Sequence, residues 1–148
     1  MTSTDAKTGL QLRSLVTSGG ELQLSLADLP LTAPGAGEVT VEVRATPINP
    51  SDLGLLIGVA DVTTAVRSGT AERPVVTAKI PESFMRAMAP RLDQSLPVGN
   101  EGAGVVVAAG ESPEAQALLG RTVAVLGGAM YATHRTLRVA DCLSCPRG

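Results

Sequence analysis

The chain predicts a mainly β fold with short helices, a partly open β-barrel, on three observations. Apolar and polar residues alternate over Leu22–Leu26 and again over Val39–Ala45, the period of two that marks a half-buried strand. Turn chemistry recurs between short segments, at Thr17–Gly20, Pro30–Gly37 and Gly127-Gly128. Helical spacing is confined to brief stretches, so helices decorate the sheet and do not build it.

The elements follow in order. Leu10, Leu12 and Leu15-Val16 form an apolar edge that the Thr17–Gly20 turn folds back onto Leu22, Leu24 and Leu26 as a hairpin. Val39, Val41, Val43 and Ala45 alternate with Thr40, Glu42 and Arg44 and make the clearest strand. After Pro50 the period changes, and Ser51 can cap a short helix from Asp52 that carries Leu53, Leu55 and Leu56 and ends at Gly58. The stretch 59–97 reads as a partly helical insertion in a single domain covering 1–148. It holds a helical turn around Asp61–Arg67, a helix at Glu82–Met88 after Pro81, and turns at Gly69 and Pro74. Val105–Ala109 is a continuous apolar run, expected to be buried on both faces. A short helix over Glu111–Leu119, a strand over Arg121–Leu126 and a last strand over Met130–Val139 complete the reading.

Composition narrows the function. With 148 residues, 44% hydrophobic and 18% charged, the chain can bury a core and is not of the disordered class. A net charge of -2 with scattered Lys and Arg offers no footprint for nucleic acid or an anionic membrane. Phe84 and Tyr131 are the only aromatics, so base stacking is not available. Met1–Gly9 is polar, which predicts no secretory signal and a cytoplasmic protein. His134 is the only histidine, and it falls in a strand pattern, which argues against a His-based metal site. Cys142 and Cys145 have C-x-x-C spacing but no second pair and no following helix, so a redox or metal role is the weaker reading. Cys145 also lies four residues from the end, but Pro146 and Arg147 are not aliphatic, which excludes a prenylation box. No Gly-rich loop follows a strand and opens a helix, so no dinucleotide fingerprint is legible.

Two blocks carry the chemistry. Ile48-Asn49-Pro50-Ser51-Asp52 joins a strand to a helix, and Gly99-Asn100-Glu101-Gly102-Ala103-Gly104 runs into Val105-Val106-Val107. In this order they resemble the two active-site loops of the medium-chain dehydrogenase/reductase superfamily, and within it the zinc-free quinone and enone reductases. In the zinc alcohol dehydrogenases, which the first loop is similar to, the position of Asn49 is a cysteine ligand, that of Ser51 a proton-relaying hydroxyl and that of Asp52 an acidic supporting partner. Where zinc members have Gly-His-Glu, this chain has Gly99-Asn100-Glu101. Both replacements are neutral amides, poor zinc ligands but competent hydrogen-bonding groups.

The resemblance implies a GroES-like barrel that shapes the substrate side of the cleft of an NAD(P)H-dependent oxidoreductase. On it, Asn49 and Ser51 hydrogen-bond substrate or nicotinamide and Asp52 holds their loop. Gly99, Asn100, Glu101 and Tyr131 line the cleft, and no zinc is needed. The substrate would be a small quinone or enone. NAD(P)H would serve the complete enzyme, with none bound by this chain alone, because the nucleotide-binding domain is not among these residues. Two features depart from the pattern. No tyrosine follows the Asn-Pro block before Gly58, and residues 59–97 reshape the approach. Arg67, Arg73, Arg86 and Arg91 lie in that stretch and read first as solvated surface groups, with an anionic ligand as the other reading. A barrel with an unpaired edge predicts a homo-oligomer. The alternative is a free-standing GroES-like module that binds a ligand or partner without redox chemistry.

Overall fold

The computed structural model describes residues 8–146, so the readings of the N-terminal leader and of the last two residues lie outside it. Strands predominate and the helices are short, as the alternation requires. The chain falls into two compact units. One gathers the described residues up to Gln11, Asp28–Pro47 and those from Gly99 on; the other comprises Leu12–Ala27 and Ile48–Val98.

The first unit is built on a five-stranded sheet. Its strands are β3 (Glu38–Ala45), β7 (Glu101–Ala109), β8 (Thr122–Leu126), β9 (His134–Arg138) and β10 (Cys142–Ser144), in the order β10-β8-β7-β3-β9. All four pairings are antiparallel. Val39 and Val41 of β3 are fully buried and pack with Val106, Val123, Val125, Met130 and Leu137. Each such side chain contributes about 1.5–3 kcal/mol by leaving water. Thr40 is buried as well, and its hydroxyl meets that of Thr136 at 2.9 Å across the β3–β9 pair, which satisfies both. Helix α3 (Pro113–Leu118) closes over this core through Ala115, with the Ser112 side chain accepting the Ala115 N–H at 3.1 Å as its N-cap.

The second five-stranded sheet comprises β1 (Thr8–Val16), β2 (Glu21–Pro30), β4 (Asp61–Gly69), β5 (Pro74–Lys79) and β6 (Ser95–Pro97), in the order β4-β5-β2-β1-β6. The second unit holds β4, β5, β6 and the parts of β1 and β2 within Leu12–Ala27. Val16, Leu22 and Ile80 form its core, with Met85 and Met88 of helix α2 (Glu82–Met88) packed against them.

Several expectations need correction. Asp61–Arg67 is not a helical turn but part of β4, which pairs with β5 at Val66↔Thr77 and Arg67↔Val76. Val62, Thr63, Thr64 and Val66 are β-branched, and strand pairing outweighs the helical propensity of Ala65 and Arg67. β5 itself, read only as a turn at Pro74, binds β2 from Glu21↔Lys79 to Ser25↔Val75. The Val105–Val107 run is not buried on both faces: Val106 is 1% exposed and Val107 is 45% exposed. The run belongs to an antiparallel sheet with one wet face, where consecutive side chains alternate. The last strand begins only at His134, because Met130–Thr133 forms a loop, and β10 pairs the Cys142 segment with β8. Both cysteines are free thiols, and burial followed by the Asp141 carboxylate pushes the Cys142 pKa above its ordinary value. A reactive thiol needs the opposite shift. Arg67, Arg73 and Arg86 are exposed, but Arg91 is partly buried and is not a solvated surface group.

Candidate functional site

The first candidate loop lies at the start of a short helical segment. Pro50–Asp52 forms one 3-10 turn and passes directly into helix α1 (Leu53–Leu56). Pro50 sets the turn with a ring-locked φ, and the Asp52 N–H donates to the Asn49 carbonyl at 2.9 Å. In return, the Asp52 carboxylate accepts the Asn49 N–H at 2.9 Å. Asp52 is 2% exposed, so this bond is a charge-assisted anchor within the loop. Ser51 is exposed and Asn49 half-buried. Asn49, Ser51 and Asp52 are therefore brought together in one turn, with Asp52 buried, Asn49 half-buried and Ser51 exposed. The N-cap expected at Ser51 sits at Asn49, one turn-start earlier.

The second candidate loop opens β7. Gly99 is buried with φ +97, and the Tyr131 ring lies against it. Met130 N–H donates to the Gly99 carbonyl at 3.2 Å, and Gly127 N–H to the Asn100 carbonyl at 2.9 Å. Asn100 is exposed, and Glu101 is half-buried opposite Leu126 in the β7–β8 register. The segment Gly127–Ala132 thus supports Gly99 and Asn100 from one side. Ala129 adopts φ +68 in that segment, a left-handed conformation uncommon for a residue with a Cβ.

Tyr131 does more than line a surface. Its hydroxyl donates to the Pro47 carbonyl at 2.8 Å, two residues before Asn49, while its ring covers Gly99, one residue before Asn100. A single side chain therefore ties Pro47 to Gly99 within the first unit. Its position after Gly127-Gly128 was legible, but its hydroxyl bond was not. Tyr131→Phe should cost about 1 kcal/mol in a thermal or urea melt, the net worth of one hydrogen bond. A variant as stable as the parent would remove the clamp role. Val43–Thr46 and Met130–Ala132 also border a cavity of about 200 Å³ in this unit.

Among the described residues, no group of three or more His, Cys, Asp or Glu is placed to hold a metal ion. His134 sits in β9 with its Nδ1 3.0 Å from the Thr133 hydroxyl. No helix of the described residues is long and apolar enough to cross a membrane.

No protein-family model and no curated protein matches the chain. Solved structures do. A protein described as an NADPH:quinone reductase from Mesorhizobium loti is 23% identical, with 97% of this chain and 37% of that one covered, at a TM-score of 0.53. A quinone oxidoreductase of Pseudomonas syringae pv. tomato DC3000 is 22% identical over 93% and 34%, with a TM-score of 0.54. The JamJ enoyl reductase is 21% identical over 94% and 35%, with a TM-score of 0.58.

The chain has the fold of these reductases. The reductase-like fold expected of the chain is therefore observed over the portion it covers. The chain spans about a third of the length of each of these structures. Within the reductase fold, the Asn-Pro-Ser-Asp block forms the strand-to-helix turn and the Gly-Asn-Glu-Gly block forms the entry to β7.

Proposed function

We propose that these residues form the substrate-side catalytic portion of a zinc-independent NAD(P)H-dependent oxidoreductase that reduces a quinone, enone or related carbonyl compound. The observation that carries the reading is the Asn49–Asp52 turn, in which the buried Asp52 carboxylate anchors a loop bearing an amide and a hydroxyl. Its setting in a reductase fold supports it.

Reduction of a conjugated carbonyl places negative charge on oxygen as hydride arrives at carbon. Hydrogen-bond donors fixed beforehand stabilise that charge without reorganising. The Asn49 amide and the Ser51 hydroxyl are donors of this kind, and Ser51 can also pass a proton to the oxygen. Asp52 does not act on substrate in this scheme; it holds the turn.

NAD(P)H would supply the hydride. The described residues do not fit its pyrophosphate: β8 is followed by Gly127-Gly128 and a loop to β9, and no Gly-rich turn opens a helix after a strand. The proposal assigns dinucleotide binding to residues other than these. Self-association belongs to the same reading, supported by Val62 (55% exposed) and Val66 (61% exposed) on the edge strand β4. The register shift between Asp61 and Val66 bulges that edge, so contact through side chains is favoured over extension of the sheet.

The test combines calorimetric titration and turnover. The 148-residue chain should bind neither NADPH nor NADH, and should scatter light as a dimer or larger. A polypeptide that joins these residues to a nucleotide-binding segment should oxidise NADPH with a quinone or enone. Asn49→Ala or Ser51→Ala should lower its kcat by about a hundredfold, the usual loss of one fixed donor to a developing oxyanion. Micromolar dinucleotide binding by the chain alone, or unchanged turnover in both variants, would sink the proposal. No turnover by the joined polypeptide would favour the ligand-binding module instead.

A further inference from the structure

Arg91 was expected at the surface, yet it reaches into the second unit and binds the helix that the Asn49–Asp52 turn begins. A helix leaves its last carbonyls without intrahelical donors, and in a helix of four residues such as α1 those carbonyls are most of it. Here side chains supply donors. Arg91 Nη1 donates to the Gly54 carbonyl at 3.2 Å, and the Ser14 hydroxyl donates to the Leu55 carbonyl at 2.5 Å. Arg91 Nη2 donates to the Ser14 hydroxyl oxygen at 2.8 Å, so the arginine also orients the hydroxyl toward Leu55. Ser14 comes from β1 and is fully buried, while Arg91 comes from the 3-10 turn Ala89–Arg91 after α2. The guanidinium serves the end of α1 while its own Nε is buried without an acceptor. Burial also pushes its pKa below the ordinary value, the mark of a desolvated cation.

The eight residues from Asn49 to Leu56 are therefore held at both ends by side-chain hydrogen bonds. Asp52 closes the start onto the Asn49 N–H, and Ser14 with Arg91 closes the finish. We propose that Arg91, acting directly and through Ser14, is a positioning residue that sets the orientation of the Asn49–Asp52 turn. The assignment rests on the reading of that turn as catalytic, but its geometry can be tested without any activity.

The test is amide hydrogen exchange and ¹H–¹⁵N NMR on the full chain carrying Arg91→Met, Arg91→Lys or Ser14→Ala. Loss of charge-assisted bonds at the end of α1 should reduce protection of the Asn49 and Ile57 amides by about tenfold or more in Arg91→Met. The Gly20 amide of the β1–β2 turn in the same unit should keep its protection. Arg91→Lys offers one donor group in place of a fork and should fall between. Ser14→Ala removes one link and should show the same pattern more weakly, which keeps the test alive if Arg91→Met does not fold.

Equal loss at Asn49 and Gly20 would mean a merely structural role and overturn the proposal, as would an unchanged Asn49 amide in both Arg91→Lys and Ser14→Ala. In the joined polypeptide, Arg91→Lys should lower kcat more than it raises KM. If Asn49→Ala leaves turnover unchanged while Arg91 variants still loosen the Asn49 amide, the catalytic reading fails and the positioning device stands.

Discussion

Gly104→Ala should destabilise the first unit by about 3 kcal/mol or more, among the largest effects a single methyl group can have. Gly104 lies in β7 opposite Val43 of β3. A Cβ built there would overlap the Glu42 carbonyl oxygen and stand 2.8 Å from both the Glu42 carbonyl carbon and a Val41 methyl. The obstacle is main chain in a strand with paired neighbours on both sides, so it cannot swing aside as a flexible side chain would. β3 must shift away from β7, at the cost of ladder hydrogen bonds and of the packing of Val41 and Val106, both buried in the core. Urea unfolding read by circular dichroism measures the loss. A midpoint within error of the parent would show that β3 and β7 do not approach as closely as described.

Gly99→Ala should cost about 2–4 kcal/mol, and its damage should reach the second candidate loop first. Two effects add. The residue holds φ +97, where any Cβ is strained by about 1–3 kcal/mol. The new Cβ would also stand 2.5 Å from Tyr131 Cδ1 and 2.6 Å from the Tyr131 amide nitrogen. Displacing the ring breaks the Tyr131 hydroxyl bond to Pro47, so the stretch leading to Asn49 should loosen as well. Tyr131→Ala in the same chain removes the ring but leaves its backbone nitrogen in place. The double variant should therefore recover only part of the loss. Full recovery would assign the whole effect to the ring and none to the backbone. An unaltered melting temperature for Gly99→Ala would remove the tight turn from the description.

These two glycines show how much of the site was legible. The sequence alone places Gly99 and Gly104 at the two ends of the second block, but not the main-chain contacts that leave no room for a Cβ at either. The Asn49–Asp52 turn was legible only in part: Pro50 restricts its own φ and marks a turn, but the cap expected at Ser51 falls at Asn49. What escaped were contacts between residues distant in the chain. Tyr131 reaches Pro47 across 84 positions, and Arg91 reaches Ser14 across 77. No local pattern signals either bond. A tyrosine after a glycine pair hints at packing, and an arginine in an irregular stretch reads by default as solvated.

The same division separates the elements. Strands β2 and β3 and helices α2 and α3 follow from alternation, proline placement and capping, which act within a few residues. β4 and β5 do not, because a short run such as Asp61–Arg67 is nearly balanced between helix and strand. Its pairing with Thr77 and Val76 settles the matter. The face that Val107 shows to solvent is likewise a property of the sheet and not of the run that contains it. By itself, then, the sequence determined the β class, the two motif loops and the residue types they offer to chemistry. These depend on short-range sterics and on hydrogen bonds a few residues long. Only the tertiary structure decided the nature of 59–97, the clamp by Tyr131 and the hold of Arg91 on α1. Each of these is a long-range contact whose free energy appears only once the chain has closed the loop between its partners.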